Sequence, residues 1–305
     1  MSFRLSAVDS DTSYIITPPS LSAWQRFREQ PCLFLARKLY SWRPINAPPP
    51  PAHPVSIVCI ANTYRERPEI PYGDILIHAG DLTTEGSLAE LEITLSWLHA
   101  QPHPLKIVIA GRSDWYLDHL KIGGRRWRLG DRPMVQWGDI IYLEHQQITV
   151  NCADGRQIHI FGSPYSPLTT PSLAFQYPRT ADIWEYVPGD IDVFVTHTPS
   201  YTHLDSLRGC QHLLDRIWKY PPRLHIFGCS LENYGTEWLH FDALQKAMER
   251  IEAVGGGCFN LLMVAKGLLQ AFWHPGIKAK TQLVNACSHG ELGSLEHRKP
   301  IKIYV

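Results

Sequence analysis

Two apolar runs of strand character, Ile75–Ala79 and residues 105–110, flank a helical stretch, and each ends in a glycine followed by polar residues. The whole segment, residues 73–114, reads GDILIHAGDLTTEGSLAELEITLSWLHAQPHPLKIVIAGRSD. Strand, helix, strand in so few residues implies a parallel pair with a helix laid on one face. The carboxyl ends of parallel strands carry the ligand site in such sheets, because loops converge there and helix N-termini point at the ligand. Asp81 follows the first strand and Arg112, Ser113 and Asp114 follow the second, so chemistry is expected among them. Ser87 with Glu90 predicts a capping box, and Leu88, Leu91, Leu95 and Leu98 give the helix one apolar stripe.

The rest of the chain extends this alternation. A strand is predicted at 55–60, with Asn62 and Tyr64 in the loop after it. Short β-like runs follow at 140–143, 147–151 and 157–161, the last two turning at Asp154-Gly155 to make a hairpin of a second sheet. A strand at 192–196 leads into His197 and the run TPSYTHLD, which holds His203. Residues 209–220 read as a helix, 224–227 as a strand ending at Cys229, and 301–305 as a closing strand. An amphipathic helix at 242–252 stops at Gly255-Gly256-Gly257. The apolar stretch 258–273 is too short and too interrupted to span a membrane. It reads first as a buried helix, with a lid or a homodimer face as the other readings.

Residues 1–54 are expected to form an N-terminal extension and 55–305 one domain. Residues 1–20 are turn-rich, 23–42 read as a single helical segment, and prolines at 44, 48, 49, 50, 51 and 54 form a stiff linker. The basic loop bearing Lys121, Arg125, Arg126, Arg128 and Arg132 reads first as solvated surface, with phosphate or carboxylate recognition as the other reading.

Lys plus Arg number 29 and Asp plus Glu number 29, so bulk charge makes no case for nucleic acid or an anionic membrane. The seven cysteines are scattered without CxxC pairs and no secretory apolar region opens the chain. Both features fit reduced thiols in a cytoplasmic protein.

Taken in order, GDILIHAGDLT, HPLKIVIAG, THTPSYTHLD, GCQHLLDRIW, PRLHIFG, YGTEW and LVNAC resemble the calcineurin-like metallophosphoesterases, in the branch of metallophosphoesterase-domain proteins found in fungi and animals. The resemblance runs from about Val55 to Val305. It implies a four-layer α/β sandwich, two mixed β-sheets flanked by helices, with two divalent metals at the strand ends. Paired cations of that kind activate a water and neutralise transition-state charge. The resemblance also shows what is changed. Asn62 and Tyr64 stand where the family has a ligating Asp and His, Arg112 and Ser113 where it has Asn and His, and Cys229 and Leu231 where it has two histidines. Asp81 and His197 remain. Two ligands do not hold two metals, and Arg112 places a fixed positive charge at the centre. Ser113 matches the family's general acid, a role serine does not fill at neutral pH without an activating base.

The expected function is therefore a metal-independent, cofactor-free enzyme acting on a small, uncharged or weakly charged organic molecule by acid/base chemistry, such as isomerisation, cyclisation, dehydration or elimination, with fungal secondary metabolism as the setting. Its catalytic candidates are Asp81, His197, Tyr64, Arg112 and Asp114. Asn62, Ser113, Trp115, His203, Cys229 and Leu231 are candidate substrate contacts. The alternative is a non-catalytic binding or scaffold protein in which the same residues form an internal salt-bridge network. A single-metal phosphoesterase is the third reading.

Overall fold

In the computed structural model, residues 22–43, 53–119, 134–152, 154–205, 207–230, 233–273, 280–289 and 298–305 are described. The elements run α1 (Ala23–Glu29), α2 (Pro31–Tyr40), β1 (Ser56–Ile60), β2 (Ile75–Ala79), α3 (Leu88–His99), β3 (Leu105–Ile109), β4 (Ile140–Tyr142), β5 (Gln146–Asn151) and β6 (Gln157–Ser163). Then come β7 (Ser166–Pro167), β8 (Gln176–Tyr177), β9 (Val193–Thr196), α4 (Gln211–Lys219), β10 (Leu224–Phe227), β11 (Gly235–His240), α5 (Ala243–Val254), α6 (Cys258–Trp273), β12 (Lys280–Asn285) and β13 (Ile301–Tyr304).

Two mixed sheets result. One has the order β13-β1-β2-β3-β4, parallel except for β13; the other has the order β11-β12-β10-β9-β6-β5, with parallel central strands and antiparallel edges. The central strands are buried on both faces, and their alternation sorts side chains between layers. In β1, Ile57 and Cys59 face the other sheet and pack with Ile77, Ile109, Ile160 and Ile226. Val58 and Ile60 face the opposite way, against Leu91, Leu95 and Leu98 of α3. On the far side of the second sheet, Phe161, Phe194 and Phe227 pack on Leu213, Leu214 and Ile217 of α4. Helix, sheet, sheet, helix is the four-layer sandwich expected from the resemblance.

A separate helical cluster joins Leu33 and Ala36 of α2 to Leu244, Met248 and Ile251 of α5 and to Val264 and Leu268 of α6. An ion pair between Arg43 and Asp242, both largely buried, ties the same segments together. Near the start of both helices the Cys32 and Cys258 sulfurs approach to 3.9 Å.

Several readings of the sequence need correction. The expected single helix over 23–42 is two, because Pro31 has no N–H to donate and takes the first position of α2. Half of the predicted capping box forms: the Ser87 hydroxyl accepts from the Glu90 N–H. The Glu90 carboxylate turns instead to the Glu85 N–H and to Arg65. Helix α6 is not a buried helix, since only Asn260, Val264, Gly267 and Leu268 are covered. Strands β11 and β12 carried no strand reading, although together they form one edge of the second sheet. Residues 1–20, the prolines at 44 and 48–51, the basic loop 121–132 and Leu231 lie outside the described residues.

Candidate functional site

The loops after β1, β2, β3, β9 and β10 converge where the two sheets meet. Asp81 follows β2 at the centre, with 2% of its surface exposed. Its Oδ2 accepts hydrogen bonds from Asn62 Nδ2 at 2.7 Å and from the Tyr64 hydroxyl at 3.1 Å, and its Oδ1 accepts from the Ser113 N–H at 2.9 Å. His197 Nε2 lies 3.5 Å from Oδ1. The other ring nitrogen, Nδ1, is 3.0 Å from the Ala79 carbonyl oxygen. A carbonyl only accepts, so Nδ1 carries a proton. Nε2, facing a carboxylate, is then favoured to carry a second.

Backbone conformation concentrates here as well. Asn62, Tyr64 and Asp81 all adopt left-handed φ values, at 53°, 47° and 56°. Such positions are costly for non-glycine residues and persist where the surroundings over-determine them. Two glycines make the close approach feasible. A Cβ on Gly80, itself at φ +94°, would meet His197 Nδ1 at 2.5 Å, and one on Gly111 would meet the Asp81 backbone nitrogen at 2.3 Å.

Electrostatics set the protonation states. Burial draws the His197 pKa down, but the Asp81 charge and the Cys229 thiol outweigh it and push it up to about 9. Burial alone would raise Asp81, yet the charges of His197 and Arg112 and the Ser113 hydrogen bond hold it below the usual carboxylate range. Cys229 sits beside His197, its N–H donating to the His197 carbonyl oxygen at 3.0 Å. Its thiol is drawn below its ordinary value, with Arg112 and then His197 overcoming the penalty of burial. The Arg112 guanidinium has no hydrogen-bonded partner among the described residues, and is held in its charged form chiefly by Cys229 and then by Asp81. Tyr64 stays a phenol, since burial and then the Asp81 charge drive its pKa up.

The structure thus brings Asn62, Tyr64, Asp81, Arg112, Ser113, His197 and Cys229 together. Three other candidates do different work. Asp114 accepts from the N–H groups of Leu82, Thr83 and Gly111 and from the Thr83 hydroxyl, so it braces the loop behind the site. Burial and then the Asp81 charge push its pKa up to about 7. Trp115 packs into the apolar cluster under α3. His203 is clasped between Glu237 and Glu249, each 3.0 Å away. Two neighbours escaped the sequence reading: Cys287, buried behind the site, and His289, whose ring centroid is 5.1 Å from that of Tyr64. The LVNAC run, which ends at Cys287, was the available signal.

Residues 57–228, more than half of the chain, match the calcineurin-like phosphoesterase family. The chain belongs to that family. A protein of Emericella nidulans named probable rhamnogalacturonate lyase C is 39% identical over 82% of this chain, but the match spans only 24% of that longer protein. Metallophosphoesterase domain-containing protein 1 of Homo sapiens is 32% identical over 63% of this chain and 65% of its own length. A UPF0046 protein of Caenorhabditis elegans is 33% identical over 63% of this chain and 69% of that protein.

The phosphoesterase family implies a two-metal centre at these strand ends. The residues present do not fit one. Asp81 already accepts from Asn62, Tyr64 and Ser113, and Asn62 turns its NH₂ group, not its oxygen, toward the centre. Arg112 and a charged His197 repel a cation from the same space. Among the described residues no three His, Cys, Asp or Glu side chains are grouped so as to hold a metal ion.

Proposed function

We propose that this chain is a metal-independent enzyme on a phosphoesterase-family scaffold, acting by acid/base chemistry on a small organic molecule that carries an anionic group. The observation that carries this reading is the buried Asp81–His197 pair at 3.5 Å, flanked by a charged Arg112 guanidinium and an acidified Cys229 thiol. His197, charged at neutral pH, is a proton donor held in orientation by Asp81 and the Ala79 carbonyl. Cys229 is the facing proton acceptor, and Tyr64 is a second hydrogen-bond donor. Arg112 binds the substrate anion or a developing oxyanion. Proton removal by one group and delivery by another suits isomerisation, cyclisation, dehydration or elimination. Elimination is a lyase reaction and one relative bears a lyase name, although the chain spans too little of that protein for its substrate to carry across. The setting we propose, by analogy, is small-molecule biosynthesis in a fungal cytoplasm.

A second reading has its own observation. Asp81 accepts three hydrogen bonds from within the protein and His197 is fully buried, as in an internal salt bridge that replaces the metals and stabilises a non-catalytic binding protein.

The test begins by loading purified protein with excess Mn²⁺ or Zn²⁺, desalting, and measuring bound metal. Less than one metal per chain is expected, and two would overturn the reading. Small-molecule extracts are then incubated with the protein and with His197→Gln, and products isomeric with a consumed compound, or lighter by one water, are sought by mass spectrometry. Such products from the parent protein, unaffected by chelator and absent with the variant, are expected. Loss of these products on chelation would overturn the metal-independent reading, release of inorganic phosphate that chelator abolishes would favour a single-metal phosphoesterase, and absence of any product would favour the non-catalytic reading.

A further inference from the structure

Helix α6 leaves five large apolar side chains more than half exposed: Phe259, Leu262, Leu269, Phe272 and Trp273. Phe259, Leu262, Lys266, Leu269 and Trp273 follow in steps of three and four, which makes one continuous stripe on the helix. The opposite face, through Val264 and Leu268, is packed on α2 and α5. Trp24 and Trp42, at the ends of the α1–α2 segment, add two more exposed indoles to this helical layer. The layer is also where positive charge collects. Beyond the Arg37–Glu252 ion pair, helices α1, α2, α5 and α6 carry Arg26, Arg28, Lys38, Lys246, Arg250 and Lys266 against the acids Glu29 and Glu249, in a chain that is neutral as a whole.

We infer that this layer rests on an anionic lipid surface, as a peripheral contact lying in the plane of the interface. No helix among the described residues is long and apolar enough to cross a membrane, so the stripe lies on the surface and does not span it. Tryptophan favours the boundary between headgroups and chains, with its ring in the apolar zone and its N–H in the wet one. Lysine in mid-stripe is tolerated at such a boundary, where its stem lies on apolar surface and its ammonium reaches water. The basic residues then meet the negative leaflet.

Lys266 also argues against a second copy as the occupant. In a two-fold pairing that covers the whole α6 stripe, the axis passes near its middle and Lys266 meets its own copy. Two ammonium groups would be buried together between apolar faces, at the cost of desolvation and mutual repulsion. Whole-chain neutrality hid this surface from the composition, because most of the compensating acids lie elsewhere in the fold.

The experiment is co-sedimentation of the full chain with phosphatidylcholine vesicles, with and without phosphatidylserine. Binding is expected with phosphatidylserine and is expected to weaken as salt rises. Leu262→Glu with Leu269→Glu is expected to lower partitioning about tenfold or more, given the apolar area each leucine removes from water. Lys38→Glu with Lys266→Glu is expected to erase the preference for the anionic lipid. All four positions are exposed, and unchanged circular dichroism would show the variants folded. Absence of binding to either vesicle, equal binding to both, or double-glutamate variants that sediment like the parent would each overturn the proposal. A dimer in analytical ultracentrifugation that Leu269→Glu dissolves, without vesicle binding, would overturn it in favour of self-association.

Discussion

His197 Nε2 lies 3.5 Å from Asp81 Oδ1, and both side chains are sealed from solvent. Each therefore sets the other's protonation. Asp81→Asn keeps the shape and removes the charge, so the His197 pKa is expected to fall from about 9 to 6.5 or below, because burial would then dominate. Titration of the imidazole C–H resonances measures this. A value that stays near 9 would mean that Cys229, and not Asp81, holds the proton. The same variant is expected to cost about 3 kcal/mol in urea denaturation, as breaking one side of a buried ion pair does.

His203 supplies a stability prediction with a definite sign. Burial lowers its pKa, but hydrogen bonds to Glu237 and Glu249 outweigh that and raise it to about 10. The folded protein thus keeps a proton that the unfolded imidazole loses near 6.5. The stabilisation is complete below pH 6.5 and disappears as pH rises through about 10. His203→Gln is expected to lose about 3 kcal/mol at neutral pH. Its gap from the parent protein should narrow steadily from pH 7 to pH 10, and a gap independent of pH would refute the assignment.

Arg112→Met removes the largest influence that opposes burial at Cys229. The thiol pKa should then rise, and alkylation of Cys229 by iodoacetamide at neutral pH is expected to slow about tenfold, because the thiolate is the nucleophile. Peptide mass spectrometry separates this site from the other six cysteines. An unchanged rate would place the guanidinium too far away to act.

Gly111→Ala tests the packing of the loops themselves. The new methyl would sit 2.3 Å from the Asp81 backbone nitrogen and 2.6 Å from His197 Cε1, so the β2 and β3 loops must part. A loss of about 2 kcal/mol is expected from such overpacking, together with a lowered His197 pKa. A variant as stable as the parent protein would show these loops more yielding than their contacts suggest.

Most of the sandwich was legible because its central strands are continuous apolar runs, three of which (β2, β3 and β10) run into a glycine, and because α3, α4 and α5 carry clear apolar stripes. Strand β11 was not legible. GTEWLH alternates weakly and sits at a sheet edge, where burial on one face imposes little pattern. The site was half legible. Asp81, Arg112, Ser113, His197 and Cys229 could be placed at strand ends by topology alone. That Asp114 braces a loop, or that His203 turns away to two glutamates, depends on side-chain direction, which residue spacing does not encode. Helix α6 was misread because its composition is that of a core helix, and composition does not say which face meets a neighbour.

Arg112 gives the site one more property. A metal ion at a protein centre comes and goes, with an affinity, a rate of loss and a dependence on supply. The guanidinium is tethered through its own backbone and keeps its proton under the pull of its neighbours. Its charge is delivered when the chain folds and stays for the life of the molecule.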